Sequence, residues 1–191
     1  MNRRDFLKTL GLSGIALSSG CQYMPRYGFT NPCYKTGLPK ELREHKLLSA
    51  TWEGIDTKQL WDCHTHLVGL GDSDSGIWIN PNMKTILHPV LYTQFKLYIN
   101  GSCAEPVTTE TFDEAFVNRL LLLHKDMPKG FRFCLLAFDY YHNEKSEIVK
   151  EYSTFYTPNK YALKLATKYP DQFEWIASIH PYREDSLGEL E

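Results

Sequence analysis

The chain has 191 residues, 42% of them hydrophobic and 23% charged, which suits one folded domain and excludes a disordered chain. Its net charge of -2 and scattered basic residues give no footprint for nucleic acid, so no nucleic-acid partner is expected. Five cysteines without a CxxC pair exclude a disulfide-built miniature and a zinc finger.

Residues 1–21 carry the marks of an address. Arg3 and Arg4 precede Phe6-Leu7-Lys8, a short apolar run follows, and Ser18-Ser19-Gly20 leads to Cys21. A charged start, an apolar stretch and small residues before a cut site make an export signal. The run contains Gly11 and Gly14 and falls short of the ~20 residues that span a bilayer. The paired arginines resemble a bacterial twin-arginine signal, which implies the twin-arginine export machinery as a partner and a periplasmic destination. The small residues before Cys21 resemble a lipoprotein cleavage site, with Cys21 as lipidation candidate and a lipid anchor to the membrane as the alternative to a soluble periplasmic form.

Residues 22–54 hold Pro25, Pro32, Pro39, Gly28 and Gly37 with little periodicity and read as an irregular arm or linker. A strand is expected over 60–68, ended by Gly69. Residues 69–109 form a long connection broken by glycines and prolines, with a short helix near 92–98. Connections of that length inside a domain are usually functional. Thr111-Phe112-Asp113-Glu114 is a capping box that opens a helix with apolar residues at 112, 115, 116, 120 and 123. A second strand over 131–138 is continuously apolar after Arg132, as where both sheet faces are covered. Thr157 as N-cap and Pro158 in the first turn open the next helix. A third strand is expected over 173–180, and Ser186-Leu187-Gly188-Glu189 is a second capping box. This alternation implies parallel strands joined by helix crossovers, an α/β fold. No GxGxxG or GxxxxGK[ST] follows any strand, so neither nucleotide-binding fingerprint is present. Cys63 and Cys134 lie in apolar runs and are expected to be buried thiols. Cys33 and Cys103 lie in polar segments and form a candidate disulfide.

Chemistry concentrates in Trp61-Asp62-Cys63-His64-Thr65-His66-Leu67. Side chains two apart on a strand point the same way, so His64 and His66 project together at the C-terminal end of the first strand. Two converging imidazoles can grip one divalent ion. Asp62 could orient one of these histidines from behind, or be an ordinary satisfied carboxylate. Asp139 and His180 end the second and third strands. Either could touch substrate or a metal-bound water, or be a plain polar strand end. No role is expected for His88, His124 or His142.

The HxH strand resembles the first-strand signature of the amidohydrolase superfamily. Phe173-Glu174-Trp175-Ile176-Ala177-Ser178-Ile179-His180-Pro181-Tyr182-Arg183 resembles the third-strand region of amidohydrolase-related proteins, and the resemblance covers about residues 55–191. It implies the first three β/α units of a TIM (β/α)8 barrel, incomplete here. It also implies a divalent metal, zinc first, held by His64 and His66, and a small-molecule substrate. The implied reaction is hydrolysis of an amide, cyclic amide or lactone by a metal-activated water. Decarboxylation of a small unsaturated acid, a TatD-like nuclease and a non-catalytic exported binding lipoprotein are the alternatives. In this family the general base and further ligands come from later strands. The chain stops at Glu191, so they are expected to lie beyond it and the fragment alone to be inactive.

Overall fold

Alternating apolar segments and capped helices assemble as their order requires. The computed structural model describes Cys33 and residues 36–107 and 109–190. Its strands are β1 (Trp61–His66), β2 (Trp78–Ile79), β3 (Arg132–Leu136), β4 (Phe155–Tyr156) and β5 (Phe173–Ile176). Its helices are α1 (Lys40–Arg43), α2 (Lys46–Thr51), α3 (Pro89–Ser102), α4 (Phe112–His124) and α5 (Asn159–Lys168). β1, β3 and β5 form a parallel sheet in the order β1-β3-β5, with α4 and α5 in the two crossovers. The protein is therefore α/β, and among the described residues the sheet is open, with β1 and β5 at its edges.

The core follows from side-chain alternation. Phe133 and Leu135 of β3 and Phe173 of β5 join Phe112, Phe116 and Leu120 of α4 and Ala162 and Leu165 of α5 in one cluster. The intervening positions are less covered. Arg132 pairs with Glu174, Ile176 is exposed, and Phe138 beyond β3 is exposed too. The apolar run 131–138 is thus covered on both faces only around Cys134, not at its C-terminal end.

Several boundaries differ from the sequence reading. The helix expected near 92–98 runs from Pro89 to Ser102, started by the fixed φ of Pro89 and stopped at Cys103, whose φ is +52°. Pro158, not Thr157, is the N-cap of α5. The Thr157 backbone is bridged to Phe138, and its hydroxyl donates to the Leu67 carbonyl at 3.1 Å, so it cannot serve the helix. β5 ends at Ile176 because Asn159 takes over the Ser178 backbone, accepting its N–H at 2.9 Å and donating to its carbonyl at 3.1 Å. Ser186 opens no α-helix among the described residues. Residues 188–190 form a 3-10 turn, and Glu189 is drawn to Arg183 at 3.5 Å instead of reaching back to Ser186. The arm carries the short helices α1 and α2. Asp126 holds its start, accepting from the Leu38 N–H at 2.5 Å and pairing with Arg43 at 3.2 Å. An antiparallel pair that the sequence reading did not include, β2 with β4, sets Trp78 opposite Tyr156 and Ile79 opposite Phe155.

The long connection after β1 is held by carboxylates. Asp113, in the first turn of α4, is 1% exposed. It accepts from the Leu70 N–H at 2.6 Å, the Gly71 N–H at 3.2 Å, the Ser73 hydroxyl at 2.9 Å and the Ser75 hydroxyl at 2.5 Å. Asp72 reciprocates from the loop, accepting from the Phe112 N–H at 2.8 Å and the Asp113 N–H at 3.2 Å. The expected capping box is present as well, with Thr111 and Glu114 satisfying each other's backbone N–H. Gly71 has φ +70°, and a Cβ there would collide with the Ile77 carbonyl.

Burial by itself would raise the Asp113 pKa. The Ser75, Leu70, Ser73 and Gly71 donors outweigh it and hold the carboxyl below its ordinary value. A carboxylate depressed in the native state adds stability above its unfolded pKa, and that stability is lost as pH falls through the native value. Asp113→Ala should lower the unfolding free energy by roughly 3 kcal/mol, because it strands buried donors. Denaturant titrations of Asp113→Asn should show a shallower loss of stability below about pH 4 than the wild type. An unchanged midpoint for Asp113→Ala would contradict the assigned role.

Candidate functional site

β1 delivers its histidines together. The Nε2 atoms of His64 and His66 lie 3.1 Å apart, with ring centroids 5.0 Å apart in an edge arrangement. Both residues lie at the C-terminal end of the strand and are exposed. Their convergence survives an irregularity just upstream. Asp62 pairs with Phe133 and Thr65 with Leu135, so β1 has one extra residue between these pairs, a bulge. The strict two-residue period of the strand is broken there, next to Asp62. Its carboxylate instead accepts the backbone N–H of His64 at 3.0 Å, steadying the bulge rather than gripping a ring.

The two thiols of adjacent strands lie side by side. Cys134 is buried, but Cys63 is exposed, contrary to expectation, and their sulfurs are 3.9 Å apart. Burial, then the Cys63 thiol, pushes the Cys134 pKa up to about 11, so it stays protonated at neutral pH. Cys33 and Cys103 are each disulfide-bonded.

Asp139 and His180 come together, but not as free ends of strands. Asp139 Oδ2 accepts the His180 N–H at 2.9 Å and Nη1 of Arg183 at 3.2 Å, while Oδ1 accepts the Tyr140 N–H at 2.9 Å. Its side chain is 6% exposed, so these bonds occupy the carboxylate and tie the segment after β3 to the segment after β5. The His180 ring stacks on His142 at 5.5 Å and meets Tyr141 and Tyr182 edgewise or tilted. His142, to which the sequence reading gave no role, is buried against it. Arg183 was read only as part of a resembling segment, yet it is the centre of this brace, bound also to Asp185 at 2.8 Å. Among the described residues no group of three or more His, Cys, Asp or Glu side chains is placed to hold a metal ion. The histidine pair therefore stands without Asp139 or His180 as a third ligand.

Aromatic rings build the surroundings. His66 lies 6.2 Å from Phe138, which packs on Phe155 at 4.5 Å. Tyr140 stacks on Tyr156 at 4.1 Å, and Trp78 lies beside Tyr140 at 5.5 Å. Lys150 sits over both Trp78 and Tyr140. None of these contacts was readable from the local pattern, since the rings come from segments up to 90 residues apart. Arg3, Arg4 and Cys21, on which the export and lipidation readings rest, lie outside the described residues. No helix among the described residues is long and apolar enough to cross a membrane.

No known protein family, curated protein or solved structure matches this chain.

Partial burial first, then the neighbouring His64, lowers the His66 pKa below the ordinary histidine value. The neutral form of His66 is therefore favoured, with its Nε2 at hydrogen-bond distance from that of His64, where a metal would take the place of the shared proton. In an NMR titration His66 should titrate below pH 6.5, the ordinary value. Replacing His64 with Ala should move that titration upward, since one of its two causes is removed. A His66 midpoint that does not move would show that burial alone sets it.

Proposed function

We propose that this protein is a metal-dependent hydrolase of the amidohydrolase type, with His64 and His66 as two ligands of a divalent ion, zinc first. The observation that carries the reading is the 3.1 Å separation of the two Nε2 atoms at the end of a parallel strand. Zinc–imidazole bonds of about 2.0–2.1 Å set two ligands of one ion about 3.0–3.4 Å apart, so the pair is already spaced for chelation. The lowered His66 pKa supports it further, because an imidazole must be neutral to bind metal. When bound, such an ion supplies an activated water and polarises the bond to be cleaved, here an amide, cyclic amide or lactone. On this reading the sheet is the first part of a (β/α)8 barrel, and the histidines face its mouth.

The chain's own residues have separable tasks. Asp62 fixes the bulge that presents His64, through the His64 N–H. Asp139 and Arg183 brace the ends of β3 and β5 beside which substrate would lie. The export reading on Arg3 and Arg4, with Cys21 as a lipid anchor site, belongs to the same proposal and places the enzyme in the periplasm.

A second reading has its own support. Catalytic zinc usually holds three protein ligands, and no third is placed among the described residues. A non-catalytic protein that uses the same surface for binding would have this appearance.

Zinc titration of the full chain, followed by calorimetry and imidazole NMR, tests the assignment. Zinc should perturb the His64 and His66 resonances before those of the other five histidines. His64→Ala or His66→Ala should each weaken binding about ten-fold or more. If both variants bind zinc as the wild type does, the metal assignment fails.

A further inference from the structure

Next to His66 the fold leaves an apolar cavity of about 140 Å³. Its floor is Leu67, Ile77, Met83 and Thr157, each no more than 7% exposed. Phe95 and Ile99 of α3 and Phe155 of β4 form the sides, and His66 stands at the opening. Side-chain polar groups in its lining are confined to His66, the exposed Tyr98 and the buried Thr157. The Thr157 hydroxyl is already spent on the Leu67 carbonyl at 3.1 Å. Phe155 is packed against Phe138, which in turn neighbours the His66 ring, so one aromatic surface runs from the histidine pair to the cavity.

The walls are held apart by polar bonds outside the cavity. Ser75 donates to Asp113 and accepts the Ile77 N–H at 3.1 Å, which sets the position of Ile77. Gly69 lies between Ile77 and Asp113, and a Cβ there would collide with both. The Asn80 side chain donates to the Ser153 carbonyl at 2.8 Å, fixing β2 beside β4. An apolar void forfeits dispersion contacts and costs stability in proportion to its volume. A fold that stiffens the walls of such a void beside two histidines preserves it at that cost.

We propose that this cavity is a binding site for a single benzene-sized apolar ring, carried by a small molecule whose polar end faces His66 and His64. The volume argues the size, since a dry apolar cavity of about 150 Å³ takes up benzene. The lining argues the chemistry, because a ring with a hydroxyl or amine inside would lose its hydrogen bonds to water without replacement. The polar end of the ligand rests on the histidine reading above, whereas ring uptake needs neither the metal nor His64.

Benzene is the probe, added to the 191-residue chain without metal, with methyl NMR of Leu67, Ile77, Ile79 and Ile99 as readout. Benzene should produce saturable shifts at these methyls and intermolecular NOEs to them. Ile79→Phe and Val68→Phe add bulk from half-buried rim positions, where folding is least at risk. Each should weaken benzene binding about ten-fold or more, with the far-UV and methyl spectra showing the fold retained. His64→Ala should leave benzene binding unchanged while weakening zinc, so failure of the metal reading and failure of this one are separable. Absence of saturable benzene shifts, or benzene binding undiminished in both filled variants, would each overturn the proposal.

Discussion

A single buried carboxylate organises the part of the molecule where chemistry can occur. Asp113 gathers two backbone N–H groups and two serine hydroxyls from residues 70–75 and brings them to the first turn of α4. A charge buried without such partners would be costly, so the loop must close on it for the helix to pack. Asp72 completes the exchange by satisfying the first N–H groups of α4, which no residue inside the helix can bond. The result is a connection that leaves β1 and returns through β2 as a rigid wall. Tyr161 of α5 lies near the same carboxylates, and its pKa is raised to about 12, by burial first and then by Asp113, Glu114 and Asp72. It stays a neutral phenol under all ordinary conditions.

Everything at the C-terminal end of β1 depends on that wall and on one irregularity. Between Asp62 and Thr65 the strand bulges, and Asp62 caps the distortion through the His64 N–H. From there Thr65 and Leu67 go inward, and His64, within the bulge, and His66, beyond it, stay outside with their nitrogens together. On the other side of the sheet end, Arg183 and Asp139 hold two connections in place and leave the His180 ring in an aromatic stack. The two polar centres are thus built differently. The Arg183 centre is saturated with partners. The histidine rings meet each other and, on the His66 side, Phe138, with an apolar cavity beside them, the arrangement of a surface available to a ligand.

Local patterns carried the secondary structure and the histidine pair, because each rests on interactions within a few residues. The capping box of Thr111 and Glu114, the strand–helix alternation, and the convergence of two side chains in His-Thr-His are all set by spacing along the chain. The α/β class followed from the order of elements, since parallel neighbours require crossovers. What spacing could not supply was any partner from a distant segment. Asp113 sat in plain view inside the capping box, yet its four donors lie about 40 residues away. Thr157 passed for an N-cap because its hydroxyl suits that task. Only the approach of Leu67, 90 residues earlier, redirects it. The run 173–180 looked like one strand until Asn159 and Asp139 captured the Ser178 and His180 backbones.

The sequence by itself therefore determined the three strands of the parallel sheet, the two helices that cross between them and the pairing of His64 with His66, since these depend on backbone geometry and period. The tertiary structure decided which polar groups are spent and which stay free. Asp139 and His180 read the same as His64 and His66 in one dimension: polar groups at strand ends. Folding brings Arg183 to Asp139 and His142 to His180, and among the described residues no ion pair to the rings of His64 and His66. The cavity beside His66 was likewise invisible, because its walls come from four separate segments whose spacing is set by buried hydrogen bonds rather than by any local preference.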